Sequence, residues 1–247
     1  MYPILFSFSR INIYSYGLMV ALGIVLSVFL IEKESVKSKL PKDDVVDLIF
    51  WIVVWGLVGA RLFYVLLYPD LYLNSPLEIL KLYEGGLVFH GGLIFGIIAC
   101  FINFRSKKLP LLKTLDVLIL YLPLAHAFGR IGCFLNGCCA GKPTDLAWGI
   151  CFPGNLVAVH PTQLYSVFLL LMIFLILCVI RRKQSFEGQI FSLYLVFYGI
   201  IRFLIEFVRD NPVFGWGLSI YQFISMALIC AGIICYVRLW RKGTRNQ

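Results

Sequence analysis

The chain has 247 residues, of which 60% are hydrophobic and 14% are charged, and its formal net charge is +9. Soluble domains are roughly half apolar and about one quarter charged, so this composition excludes a soluble globular protein. In a chain this apolar, membrane topology and anionic lipid explain the basic charge better than nucleic acid does.

Windows of about twenty apolar residues predict membrane-spanning helices. Seven such windows predict an all-α, polytopic membrane protein, formed by a single domain over residues 1–247. The windows are Tyr14–Ile31, Val46–Tyr68, Leu87–Phe104, Leu115–Leu135, Pro161–Ile180, Gln189–Val208 and Leu218–Val237. The longest segment between them, Asn136–His160, is rich in Gly, Pro and Cys.

Basic residues alternate between the two sides of the predicted spans. Fifteen of the 22 lysines and arginines lie after spans one, three, five and seven: Lys33, Lys37, Lys39, Lys42, Arg105, Lys107, Lys108, Lys113, Arg181, Arg182, Lys183, Arg238, Arg241, Lys242 and Arg245. The other four segments hold one each: Arg10, Lys81, Lys142 and Arg209. By the positive-inside rule, the N-terminus is predicted to lie outside and the C-terminus in the cytoplasm.

The remaining arginines, Arg61, Arg130 and Arg202, lie inside predicted spans, where a charge needs a partner or a water-filled cavity. With the predicted orientation, all three lie in the outer halves of their spans. His90 and Tyr16 fall at the same depth. We therefore predict a site that gathers polar side chains of five spans toward the outer face.

The segment Gly129–Gly141 reads Gly-Arg-Ile-Gly-Cys-Phe-Leu-Asn-Gly-Cys-Cys-Ala-Gly and follows the apolar run of span four. Its glycines let backbones or a ligand approach closely, and its arginine needs a partner. The segment predicts a reactive or ligand-binding site at the end of that span.

Span six predicts a narrow helical stripe formed by Tyr198, Arg202, Glu206 and Arg209. One interpretation is a self-satisfied pair, since Arg202 and Glu206 are four residues apart. The other interpretation is an anion-binding site. The stripe has two arginines and one carboxylate, so one positive charge is left to bind an anion. The planar fork of arginine suits phosphate.

Three histidines have different predicted roles. His90 stands between an apolar run and a glycine pair, so it could be an acid, a base, a phosphate donor or a structural residue. His126 is interpreted as structural. His160 opens a motif whose Pro161 suits the start of a helix. The neighbouring Gly92 and Gly96 form a GxxxG pattern that predicts close helix packing.

The eight cysteines fall into two groups. Cys100, Cys178, Cys230 and Cys235 lie in apolar runs and are predicted to be inert packing. Cys133, Cys138, Cys139 and Cys151 lie on the predicted outer side, where disulfides can form. The sequence does not determine whether Cys138 or Cys139 forms a disulfide with Cys151. The adjacent pair does not have the spacing typical of metal ligands, so no metal site is predicted.

Six motifs resemble those of prolipoprotein diacylglyceryl transferases and keep their order across the whole chain. They are Tyr16-Gly-Leu-Met, Gly59-Ala-Arg61, His90-Gly-Gly-Leu, Gly129-Arg-Ile-Gly-x-Phe-x-Asn136-Gly, His160-Pro-Thr-Gln-Leu-Tyr165 and Tyr198-Gly-x-x-Arg202-x-x-x-Glu206-x-x-Arg209. The long arginine-asparagine-glycine element is specific, whereas His-Gly-Gly alone would be weak.

The resemblance implies a bacterial inner-membrane enzyme with seven spans and an active site toward the outer half. It implies transfer of the diacylglyceryl group of phosphatidylglycerol to the lipobox cysteine thiol of a preprolipoprotein signal peptide. The products would be a thioether and glycerol phosphate. The implied partners are phosphatidylglycerol, these signal peptides and membrane lipid, without nucleic acid, cofactor or metal.

The resemblance also implies roles for individual residues. The implied catalytic residues are His90, Arg130, Tyr198 and Arg202. The implied substrate-binding residues are Tyr16, Arg61, Arg130, Asn136, Gly141, Glu206 and Arg209. We expect Arg130 and Arg202 to bind the lipid phosphate and His90 to assist deprotonation of the thiol.

This chain departs from the family pattern at two positions. Many members have asparagine where this chain has Cys133 and glutamate where it has Cys138, so a carboxylate cannot act at the second position here. The outer cysteines also suggest a quinone-linked thiol oxidoreductase, whose activity alkylation of the cysteines would abolish. An anion transporter or channel would need intramembrane arginines too, although here the arginines gather at one depth.

Overall fold

The computed structural model describes residues 1–8, 11–73, 75–81, 85–153 and 156–245. Within that part of the chain, seven helices are long and apolar enough to cross a membrane, which confirms the predicted all-α, multi-pass membrane protein. They are α1 Ser15–Lys37, α2 Lys42–Leu67, α3 Phe89–Lys107, α4 Leu111–Asn136, α5 Thr162–Arg181, α6 Gln189–Glu206 and α7 Ile220–Arg245. Several continue past the apolar windows into basic residues, which the C-terminal end of a helix dipole favours.

Two short antiparallel hairpins were not predicted. The first pairs β1 Ile4–Phe8 with β2 Ile11–Tyr14, and the second pairs β3 Val213–Gly215 with β4 Leu218–Ser219. Strands of two to five residues are too short for a periodic sequence signal. Arg10, which contributed to the predicted charge alternation, lies outside the described residues.

The chain forms two compact units. The first comprises Met1–Ile31 and Leu115–Gln247, and the second comprises Glu32–Thr114. The buried core of the first unit is formed by α4, α5 and α6 through Leu120, Ile173, Leu177, Ile190 and Tyr194. The assignment of residues 1–247 to a single domain stays a prediction.

Asp116 of α4 holds the start of α6. Its buried carboxylate accepts hydrogen bonds from the backbone N–H groups of Gly188 at 2.6 Å and Phe191 at 2.9 Å, and from the Gln184 side chain at 2.5 Å. The first N–H groups of a helix have no partner within the helix, so a carboxylate stabilises that end. The contact fixes α6 against α4 inside the first unit.

In the second unit, α2 and α3 pack through glycines. A Cβ atom at Gly59 would lie 2.5 Å from the Gly91 carbonyl oxygen, and one at Gly91 would lie 2.3 Å from that of Gly59. A Cβ atom at Gly92 would lie 3.1 Å from a carbonyl oxygen of α2, whereas Gly96 has only ordinary contacts. The predicted close packing is therefore confirmed, but Gly91 makes the tightest approach.

Candidate functional site

A small pocket opens among α4, α5 and α6 of the first unit. Its walls are formed by His126, Arg130, Ser166, Leu170, Tyr198, Ile201, Arg202, Ile205 and Arg209. Three guanidinium groups thus meet in a small space with apolar neighbours. Such an arrangement attracts and orients an anion.

Arg130 is oriented by the histidine one turn earlier on α4. Its Nε atom donates a hydrogen bond to Nε2 of His126 at 3.3 Å. An imidazole nitrogen accepts a hydrogen bond only when it carries no proton, so this contact requires a neutral His126. Interpreting His126 as merely structural missed its place in the pocket. The spacing of four residues from Arg130 was the available signal, because it places both side chains on one helix face.

Arg202 is paired with Glu206 on α6. Its Nη1 atom donates to Oε2 of the carboxylate at 2.5 Å, and its guanidinium carbon lies 4.8 Å from the centre of the Tyr221 ring. The other carboxylate oxygen accepts hydrogen bonds from Asn211 at 2.6 Å and Ser219 at 2.7 Å. Glu206 is therefore fully bonded and neutralises one of the three guanidinium charges of the pocket.

Arg209 has a buried donor without a partner. The sequence predicted a helical stripe through this residue, but α6 ends at Glu206, and Arg209 reaches the pocket from the turn that follows. Its backbone forms a β-bridge with Gly141. Its Nε atom is buried without a hydrogen-bond partner among the described residues. An unpaired buried donor costs about 1–3 kcal/mol, so this nitrogen indicates a place for a ligand oxygen.

Tyr198 lies on the same wall of the pocket as Arg202. Its ring stacks on that of Tyr194 with 5.6 Å between centroids and lies 5.7 Å from the ring of His126. The structure thus brings together three of the four residues predicted to be catalytic, Tyr198, Arg130 and Arg202.

Tyr16 and the end of α4 lie beside this pocket in the first unit. A Cβ atom at Gly132 would lie 3.1 Å from the Cα atom of Tyr16, so α1 and α4 approach closely there. Tyr16 is 45% exposed and within electrostatic reach of Arg130. Asn136 is the last residue of α4 and its side chain lies near the sulfur of Cys138.

Gly141 has a packing role that the sequence did not predict. A Cβ atom there would lie 2.3 Å from the Val208 carbonyl oxygen and 2.7 Å from the Thr162 methyl group. The backbone N–H of Lys142 donates to the same Val208 oxygen at 2.8 Å. Gly141 therefore lets the loop after α4 lie directly on the turn that carries Arg209.

The motif from His160 to Tyr165 holds the loop after α4 by hydrogen bonds. Pro161 precedes the first residue of α5, as predicted for a helix start. The Thr162 hydroxyl donates to the carbonyl of Cys139 at 2.8 Å, and the Gln163 amide donates to that of Cys138 at 2.6 Å. The motif is thus more than a cap, because it fixes the backbone of the cysteine-containing loop.

Three of the outer cysteines form one cluster. The sulfur atoms of Cys133, Cys138 and Cys139 all lie within 4.8 Å of one another, and Cys151 is not a member. No disulfide joins these four residues. The spacing along the chain therefore did not indicate that these three sulfurs meet. Gly137, with a φ of +74°, reverses the chain and returns the adjacent pair to the end of α4.

The cluster lies in a positive field. Hydrogen bonds with the thiols of Cys133 and Cys138 lower the pKa of the Cys139 thiol, and the guanidinium charges of Arg209 and Arg130 lower it further. Burial acts in the opposite direction but is outweighed. The nearby guanidinium charges thus favour the thiolate form of Cys139.

In the second unit, Arg61 of α2 contacts backbone carbonyl groups. Its side chain is buried, and it donates to five carbonyl oxygens: those of Glu78 (2.7 Å), Gly85 (2.8 Å), Ile79 (2.9 Å), Gly86 (3.2 Å) and Lys81 (3.5 Å). It also lies over the rings of Tyr64 and Tyr72. The guanidinium thus orders the segment before α3, and the substrate-binding role of Arg61 stays a prediction.

His90 is the second residue of α3 and is exposed. Its ring lies edge-on to that of Phe89, with 5.9 Å between centroids. His90 and Arg61 belong to the second unit, whereas Arg130 and Arg202 belong to the first. The predicted convergence of all five spans on one site therefore stays a prediction.

Comparison with known proteins identifies the family. A family profile described as prolipoprotein diacylglyceryl transferase matches residues 3–238. The chain is 38% identical to the phosphatidylglycerol–prolipoprotein diacylglyceryl transferase of Clostridium tetani, over 96% of this chain and 97% of that protein. Proteins of the same name from Clostridioides difficile and Finegoldia magna are 37% and 36% identical, over 98% and 94% of this chain and 96% and 94% of theirs. Since the matches cover the helices that form the pocket, the chain belongs to the prolipoprotein diacylglyceryl transferase family.

Proposed function

We propose that this protein transfers the diacylglyceryl group of phosphatidylglycerol to the lipobox cysteine thiol of preprolipoprotein signal peptides. The thiol sulfur forms a bond to the glyceryl carbon, the bond from that carbon to the phosphate oxygen breaks, and glycerol phosphate leaves. This is the first step of bacterial lipoprotein maturation. The names of the relatives support it, and so does the pocket of the first unit.

The observation that carries the proposal is the unbalanced charge of this pocket. Glu206 neutralises one of three guanidinium groups, which leaves about two positive charges. A phosphodiester carries one negative charge, and glycerol phosphate gains a second as it departs. Fixed cations that face the growing charge stabilise the transition state more than the ground state.

Individual roles follow from the contacts. The unpartnered Nε of Arg209 and the guanidinium of Arg130 are proposed to bind the lipid phosphate, with Arg202 stabilising the departing glycerol phosphate. His126 positions Arg130 by accepting its Nε–H. Tyr198 is proposed to supply a hydroxyl to the same anion.

The incoming thiol must lose its proton before it attacks. We propose that His90 assists this step, as an imidazole at the start of a span beside a glycine pair. Tyr16 and Asn136 are proposed to contact the substrates beside the pocket, whereas Gly141 and Glu206 shape the site by packing and by charge.

The proposed location is the bacterial inner membrane, with the N-terminus outside and the pocket toward the outer half. The alternation of basic residues between successive loops supports this orientation. An outer-half site would receive the signal peptide after its cysteine has crossed the membrane.

The direct test uses purified protein, phosphatidylglycerol vesicles and a synthetic lipobox peptide. We expect the peptide mass to rise by one diacylglyceryl group, with release of glycerol phosphate in equal amount. A matched peptide with serine in place of the cysteine should gain no mass, since an alcohol is a far weaker nucleophile. Absence of any mass gain with folded protein would contradict the proposed function.

A further inference from the structure

The sulfur cluster formed by Cys133, Cys138 and Cys139 is not used by the proposed reaction. The acceptor brings its own thiol, and phosphate binding requires the arginines. Three sulfur atoms nevertheless lie within 4.8 Å of one another at the end of α4. The backbone N–H of Cys138 donates to the carbonyl of Cys133 at 3.1 Å, so the loop folds back onto the last turn of the helix.

The positions of these sulfurs are fixed by their neighbours. Gln163 and Thr162 are buried at the start of α5. Their side chains donate hydrogen bonds to the carbonyl oxygens of Cys138 and Cys139, respectively. Cys139 itself has a φ of +66°, which is uncommon for a residue other than glycine. A donor set that is held before the ligand arrives loses little freedom on binding.

The donor atoms identify the kind of ligand. Within the described residues, this group contains three thiols and no carboxylate or imidazole. Sulfur donors select soft, thiophilic metal ions over calcium or magnesium. Metal–sulfur bonds of about 2.3 Å in a trigonal arrangement would place the sulfurs about 4 Å apart, so small side-chain rotations close the site.

Charge and access also agree with a metal ion. Three thiolates around a divalent ion carry one net negative charge. Two cationic residues lie nearby in the fold: Arg130 near the end of α4, and Arg209, whose backbone pairs with Gly141. Cys139 is exposed, so an ion can enter from the loop side and keep one open coordination position. The ion would join the end of α4 to the loop that packs on α5.

We propose that Cys133, Cys138 and Cys139 form a three-thiolate site for a thiophilic divalent metal ion of the zinc and cadmium class. The proposal concerns binding and local stability, and it does not depend on the transferase reaction. The ion is expected to bind once per chain, and only while the three cysteines are reduced.

The test titrates cadmium ion alone into the full-length protein in detergent, after reduction with a phosphine and removal of metals. We expect an ultraviolet thiolate-to-cadmium band that saturates at one ion per chain, competition by zinc ion, and a higher Tm at saturation. The Cys139→Ser variant should lose at least tenfold in affinity and should fold, because this side chain is exposed. The triple serine variant should show no band.

Cys151→Ser is the matched control, because Cys151 is an exposed cysteine of the same inter-helix segment outside the cluster. This variant should keep the band, the stoichiometry and the Tm shift. The proposal is overturned if reduced protein binds no cadmium above the triple variant. It is equally overturned if Cys139→Ser binds as tightly as the Cys151→Ser control.

Discussion

Nε of Arg130 lies 3.3 Å from Nε2 of His126, one helical turn earlier on α4. A doubly protonated imidazole has no acceptor nitrogen, so the contact exists only with neutral His126. The orientation of the Arg130 guanidinium is thus linked to the protonation state of a neighbouring side chain.

Replacement of His126 tests this positioning role. His126→Phe removes the acceptor, and we expect kcat to fall about tenfold, equivalent to about 1.4 kcal/mol of transition-state stabilisation. His126→Gln can still accept the Nε–H through its amide oxygen and should retain clearly more activity. Steady-state kinetics with phosphatidylglycerol measures both variants. Equal losses in the two variants would speak against positioning through this hydrogen bond.

The arginines of the pocket should not be replaceable by lysine. Arg130→Lys and Arg202→Lys keep the charge but lose the planar fork, and Arg202→Lys also loses the stacking over Tyr221. We expect at least a tenfold loss of kcat/KM in each. Arg105→Lys, at the end of α3 and outside the pocket, is the control and should stay near wild type. Near-normal turnover of both pocket variants at equal protein levels would contradict the proposed phosphate site.

Glu206→Gln should destabilise the protein and also lower its activity. The carboxylate is 1% exposed and its partner Arg202 is 17% exposed, so the neutral variant leaves a partly buried guanidinium unpaired. Loss of one partner from a buried pair costs roughly 3 kcal/mol. Glu32→Gln, whose pair with Lys42 is exposed, should change stability by less than about 1 kcal/mol. Thermal unfolding in detergent compares them, and similar Tm values would contradict the expectation.

The glycine contact between α2 and α3 predicts a contrast between two helical glycines. Gly59→Ala would place a methyl group 2.5 Å from the Gly91 carbonyl oxygen and should cost about 1–3 kcal/mol. Gly17→Ala on α1 meets nothing within 4 Å and should not lower stability. The two Tm values measure this difference. Equal Tm values would show that the helices separate without cost.

His90→Gln tests the proposed proton acceptor. An imidazole can take the thiol proton only in its neutral form, so its removal should change the pH dependence of the rate. If His90 is the base, the glutamine variant should slow the chemical step and flatten the acidic limb of the pH–rate profile. If His90 only bonds the lipid headgroup, the variant should raise the KM for lipid. A wild-type acidic limb in the variant rules out the base role.

The spans could be predicted because each needs about twenty apolar residues whatever its neighbours are. The pocket was partly predictable too, because Arg130 and Arg202 are charged residues inside apolar runs. The cysteine cluster was not predictable, because it depends on a left-handed turn at Gly137 and on two side chains of α5. Periodicity along one element carries no signal for such contacts between elements.

The carbonyl contacts of Arg61 could not be predicted from the sequence for a related reason. An arginine in a predicted span has the same sequence signature whether it meets a ligand or backbone carbonyls. Its partners are the carbonyl groups of residues 78, 79, 81, 85 and 86, which have no residue-type signature. Only the folded chain shows these contacts.

Arg61 also has a consequence for biogenesis. The ribosome completes α2 before it has made the segment that supplies the carbonyl partners, since that segment begins 17 residues after Arg61. Until then, the guanidinium opposes membrane insertion by about 3 kcal/mol. We therefore expect α2 to remain at the insertion machinery until α3 emerges, so that the two helices enter the bilayer as a hairpin and not one after the other.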